Sequence, residues 1–86
     1  MGHDSKTSIV LSSTGLSQQE LADLLGVNQS TVSRWVNGEA EPNFLVEVVL
    51  DRIMARDWSD RRKARLKSLL SSGDFPGAIL YAMGTP

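Results

Sequence analysis

Between Ser17 and Gly38 the chain allows little besides two short helices set at a steep angle across a tight turn. Ser17-Gln18-Gln19-Glu20 has the form of a capping box: the serine hydroxyl accepts from the amide three residues on, and the glutamate reaches back to the serine amide. The helix so opened runs to about Leu25, with Leu21, Ala22, Leu24 and Leu25 on an apolar face. Gly26 suits the left-handed residue that ends a helix. Asn28-Gln29-Ser30-Thr31 restarts a helix, which closes at Asn37-Gly38. Helices joined so closely need a small residue at their crossing, a residue tolerant of positive φ in the turn, and branched or bulky apolar residues reaching back to the core. Ala22, Gly26, and the trio Val27, Val32 and Trp35 meet those demands in order.

The rest of the chain reads the same way. Valine and isoleucine do not alternate with the period of a half-buried strand, so the expected fold is all-α, a compact bundle of five to six short helices. A first helix is expected over Ser5–Ser13, ended by Thr14-Gly15, although its Ser and Thr content is poor for helix. Pro42-Asn43 marks another start, and Phe44–Met54 offers Leu45, Val48, Val49, Ile53 and Met54 at near-helical spacing. Ser59 or Asp57 caps the next helix, which carries Leu66, Leu69 and Leu70, follows Trp58 and ends near Ser72-Gly73. Asp74-Phe75-Pro76 opens a last one through Ile79, Leu80 and Met83. With 86 residues the chain holds one domain or one domain and an appendage. The expected division is a tail at 1–4, where Met1-Gly2-His3 reads as a cloning remnant, a domain at 5–56, and a helical extension at 57–86.

Several functions are disfavoured. There is no cysteine, which excludes disulfides and cysteine-bound zinc, and His3 is the one histidine. No stretch approaches the roughly 20 apolar residues of a membrane span, and the N-terminus lacks an apolar signal core; a soluble cytoplasmic protein is expected. No nucleophile–base–acid set, Gly-rich phosphate loop or metal-ligand spacing is visible. Glu39 and Glu41 are paired acids two apart in a loop, without a cleft to perturb them. Neither enzymatic activity nor a cofactor is expected.

The run Leu16-Ser17-Gln18, Leu21-Ala22, Leu25-Gly26-Val27 and Ser30-Thr31-Val32-Ser33-Arg34-Trp35-Val36-Asn37-Gly38 resembles the Cro/repressor-type helix-turn-helix family, also called the xenobiotic-response-element family. The likeness spans roughly residues 5–55 and is closest over 16–38. It implies a lambda repressor-like fold and a recognition helix, about Gln29–Asn37, lying in the major groove of double-stranded DNA. The side chains suit that placement. Gln29 can pair with an adenine edge and Arg34 with a guanine edge, Ser30 and Ser33 donate or accept, and the Thr31 methyl fits a thymine methyl. In relatives like the phage lambda repressor, a glutamine matching Gln18 binds the DNA backbone and braces one matching Gln29, and an asparagine matching Asn37 contacts phosphate. The resemblance further implies a bacterial, phage or plasmid origin, a transcriptional repressor, and a homodimer on a palindromic operator. The sequence departs from the family at Val36, often polar there, and at Glu39 and Glu41, where Lys or Arg is common.

Charge is unevenly placed. From Thr14 to Asp51 one basic residue, Arg34, stands against six acids, whereas from Arg52 to Lys67 seven basic residues stand against two acids. Three accounts are open. The basic segment lies along the DNA backbone, with Arg61, Arg62, Lys63 and Arg65 at phosphates; it pairs with the acidic face within the fold or across a dimer; or the scaffold has turned to a protein partner, as an antitoxin or anti-activator would. The apolar Phe75–Met83 segment either folds back on the core or makes a dimer contact.

Overall fold

A computed structural model describes residues 5–84; the tail expected at 1–4 lies outside them. Among the described residues there are six helices and no strand: α1 (Lys6–Thr14), α2 (Gln18–Leu25), α3 (Gln29–Asn37), α4 (Phe44–Met54), α5 (Asp60–Ser71) and α6 (Phe75–Ala82). The all-α bundle expected from the sequence is the fold observed.

Side-chain oxygens open five of the six helices. Ser5, Ser17, Asn43, Ser59 and Asp74 each accept from an amide in the first turn that follows, supplying a partner that the helix itself cannot. Ser59, not Asp57, caps α5, and Pro76 sits in the first turn of α6, where a missing N–H costs nothing. α3 is the exception, since Asn28 makes no side-chain cap bond. α1 forms despite its weak propensity because Thr7, Val10 and Thr14 are buried against neighbours, and tertiary packing outweighs propensity in short helices.

One cluster of buried side chains runs through all six helices: Val10, Leu21, Ala22, Leu24, Val32, Trp35, Leu50, Ile53, Leu66, Leu70, Ala78 and Ala82, joined by Leu16 from the α1–α2 turn. Helix α6 packs on α5 and α2. Two expected core positions are corrected. Leu45 and Val48 face solvent, with Leu45 73% exposed, and the inward row of α4 is Val46, Val49, Leu50 and Ile53. The charged residues of α4, Glu47, Asp51 and Arg52, fall on the side away from that row, which Leu45 and Val48 share, and Lys6 of α1 meets the two acids there, Asp51 at 2.8 Å and Glu47 at 3.4 Å. Those carboxylates, Asp51 foremost, raise the Lys6 ammonium above its ordinary pKa. On α6 Leu80 is exposed, and it is the methyls of Ala78 and Ala82 that are fully buried.

Candidate nucleic-acid interface

The α2–α3 pair is built from the capping box outward. Ser17 Oγ accepts from the Glu20 amide at 3.1 Å, and Glu20 Oε1 accepts from the Ser17 amide at 2.9 Å. At the other end Gly26 adopts φ 73°, where its amide reaches the Ala22 carbonyl. A residue with a Cβ is strained there, which explains the glycine. The chain then turns within three residues into α3, which rests on α2 through fully buried Ala22 and Val32. Trp35 and Val32 fix the rotation of α3 about its axis.

That rotation decides what faces outward. Ser30, Ser33, Arg34 and Asn37 recur at the i, i+3, i+4, i+7 spacing of one helix stripe, opposite Val32 and Trp35. Ser30, Arg34 and Asn37 are exposed and Ser33 is half-buried. Gln29 leads the stripe, and its Nε2 donates to Gln18 Oε1 at 3.2 Å, tying the first residue of α3 to the first residue of α2. Thr31 is half-buried and lies on a flank of α3, off the stripe. Val36 is half-buried and packs against the core. All seven residues expected to contact DNA, Gln18, Gln29, Ser30, Thr31, Ser33, Arg34 and Asn37, therefore lie on or beside one surface, with Thr31 at its margin.

The basic segment is divided. Helix α5 buries Leu66 and Leu70, and its cations leave on both sides of that seam. On one side Arg61, Arg62 and Arg65 line a groove with Asp57, Ser59 and Tyr81, and Arg62 Nη1 donates to the Asp57 carbonyl at 2.7 Å. Of the four α5 residues expected at phosphates, only Lys63 lies on the other side: its Cδ is 3.8 Å from where a Cβ on Gly15 would stand, in the α1–α2 turn. Lys67, one turn on, is not singled out by the sequence; its Nζ is 3.2 Å from Glu20 Oε1. The signal is present as the i+4 neighbour of Lys63. The Ser17 amide first, and Lys67 after it, hold the Glu20 carboxyl below its ordinary pKa. Among the described residues Lys67 is the one cation of the basic segment that pairs with an acid, so internal pairing does not absorb the segment's charge.

Arg56, also in this segment, serves the fold. Its guanidinium lies over the Tyr81 ring at 5.0 Å and the Trp58 ring at 5.8 Å, and Nη1 donates to the Tyr81 carbonyl at 2.8 Å. It locks α6 to the α4–α5 connection. No helix among the described residues is long and apolar enough to cross a membrane.

Comparison with curated proteins found no match, and comparison with solved structures found none. Comparison with protein-family models matched the helix-turn-helix model at residues 13–46. The matched span runs from the end of α1, through α2, the Gly26 turn and α3, into the first turn of α4, so residues 13–46 are similar to a helix-turn-helix of the Cro/repressor, lambda repressor-like type, a family of DNA-binding regulators.

Proposed function

We propose that the protein is a sequence-specific transcriptional repressor that binds double-stranded DNA with α3 in the major groove. The observation that carries this reading is the outward stripe Ser30, Ser33, Arg34 and Asn37, led by a Gln29 that Gln18 holds in place. A long polar side chain pinned before binding loses less rotamer freedom on docking. Gln29 and Arg34 are assigned to an adenine and a guanine edge, Ser30 and Ser33 to neighbouring edges, and the Thr31 methyl to a thymine at the margin. Gln18, in the first turn of α2, and Asn37, at the close of α3, are assigned to phosphates on either side of the groove. We infer a homodimer on a palindromic operator, its half-sites roughly 34 Å apart, and a cytoplasmic location, where such DNA lies.

Selection from randomised duplexes at low salt tests the reading. Enrichment of a short motif is expected, and Gln29→Ala or Arg34→Ala should each remove about 1–3 kcal/mol of discrimination at one base pair while the fold survives. Unchanged base preference in both variants refutes the assignment. A second reading, a protein-binding module, draws on the exposed Phe44, Leu45 and Val48 beside acidic Glu41. A folded protein that enriches no duplex sequence favours it.

A further inference from the structure

A DNA reader needs cations where it meets the backbone, because neutralised phosphates and released counterions supply much of its affinity. The reading head has one, Arg34, and carries acids at Glu39 and Glu41 in the loop that follows α3. The structure brings others beside it from a distant part of the chain. Lys63 and Lys67 lie one turn apart on α5, about 6 Å along its axis, on the edge that meets the start of α2. The Lys63 stem runs past Gly15, where no side chain intervenes. The Lys67 ammonium reaches Glu20 in the first turn of α2. This is the turn that also presents Gln18 to Gln29. Gln18 and Glu20 leave that turn roughly 200° apart about the helix axis, so the lysine edge flanks α2 on the side away from α3; in a helix-turn-helix the first helix crosses the DNA backbone while the second enters the groove, which puts that flank toward phosphates beyond those near Gln18.

We propose that Lys63 and Lys67 form a phosphate-binding rail that carries the DNA interface past the α2 end, beyond the base pairs read by α3, and that Glu20 is the internal competitor for Lys67. The proposal rests on the DNA-reading function above. It assigns the backbone interaction to one edge of α5 and takes it from the other: Arg61, Arg62 and Arg65 stand around Tyr81, across the Leu66–Leu70 seam from α2. Two features favour exchange of partners. The Lys67–Glu20 pair is solvated, its side chains 45% and 31% exposed, and pairs of that kind contribute little. Glu20 also keeps a second partner, the Ser17 amide at 2.9 Å, so the α2 cap survives when Lys67 turns to a phosphate. One phosphate of a strand follows another every 3.4 Å or so along the duplex axis, and lysines about 6 Å apart can engage two or span one.

The test is the salt dependence of binding by the full chain to its selected site, embedded in a duplex with about ten flanking base pairs on each side. Thermal melts first establish that the variants fold. The slope of log K against log salt should fall by about 2 in Lys63→Gln/Lys67→Gln, roughly 0.9 for each phosphate no longer neutralised, with base preference unchanged. Glu20→Gln should tighten binding severalfold in the wild-type background and have no such effect in the double lysine variant. An unchanged slope overturns the rail. So does the opposite pattern, in which Arg61→Gln/Arg65→Gln carries the whole loss. A wild-type chain that binds no duplex at low salt overturns the rail together with the reading beneath it; a wild-type chain that enriches a site while the lysine variant keeps its slope overturns the rail alone.

Discussion

Replacing Thr14 by valine isolates the worth of one buried hydroxyl at the joint between α1 and α2. Thr14 has no exposed surface; its Oγ1 donates to the Val10 carbonyl at 2.7 Å and accepts from the Leu16 amide at 3.3 Å. Valine keeps the shape and removes both bonds. The Leu16 amide is then buried beside a methyl, and a buried donor left without an acceptor costs about 1–3 kcal/mol. A loss of about 2 kcal/mol is expected, from a total of roughly 4–13 kcal/mol for a chain of this size. With a urea slope near 1 kcal/mol/M the unfolding midpoint falls by about 2 M, and the melting temperature by roughly 8–16 °C. Urea titration followed by tryptophan fluorescence measures it, since Trp35 is in the core and Trp58 is half-buried. Thr14→Ser is the control: it keeps both bonds and loses one methyl, about 1 kcal/mol. A valine variant as stable as wild type, or less harmed than the serine variant, refutes the account.

Other outcomes follow from single interactions. Gly26→Ala should destabilise by about 1–2 kcal/mol in thermal melts, because φ 73° is a left-handed conformation, and Gly26→Asn by less. A Cβ at residue 77 collides with the Asp74 carboxylate that accepts from the Gly77 amide at 3.0 Å. Gly77→Ala should therefore cost about 1 kcal/mol, and adding Asp74→Ala should cost little more, since both changes remove the same cap. The lowered Glu20 carboxyl contributes stability that is fully present above the ordinary carboxylate range and lost as pH falls through its depressed folded value. Urea midpoints taken from neutral pH into acid should show a shallower decline in Glu20→Gln than in wild type.

Residues whose partners are near in sequence are legible and those with distant partners are not. The capping box, Gly26, Gly38 and the α3 stripe are local, and each lies where the sequence places it. The Gln18–Gln29 bond is anticipated through the family resemblance, since glutamines eleven apart announce nothing by themselves. Thr14 reads as a helix end; only the packing of α1 makes it a buried hydrogen-bonding centre. Leu45 and Val48 read as core by residue type alone, yet they share the solvent side of α4 with Asp51 and Arg52. Lys67 escapes notice because its partner Glu20 is 47 residues away, a proximity set by how Leu66 and Leu70 seat α5 against the rest.

The shared core also sets how the molecule can be cut. Leu66, Leu70, Ala78 and Ala82 are buried in the same cluster as Leu21, Leu24 and Val32. A fragment ending after α4 would uncover the underside of α2 to water, although every residue of the family match at 13–46 would be kept. The α2–α3 pair thus leans on α5 and α6 for its support. Slow amide exchange in α2 should depend on α5 and α6, and proteolysis in the Asp57–Ser59 connection should release an α2–α3 fragment that no longer holds its shape.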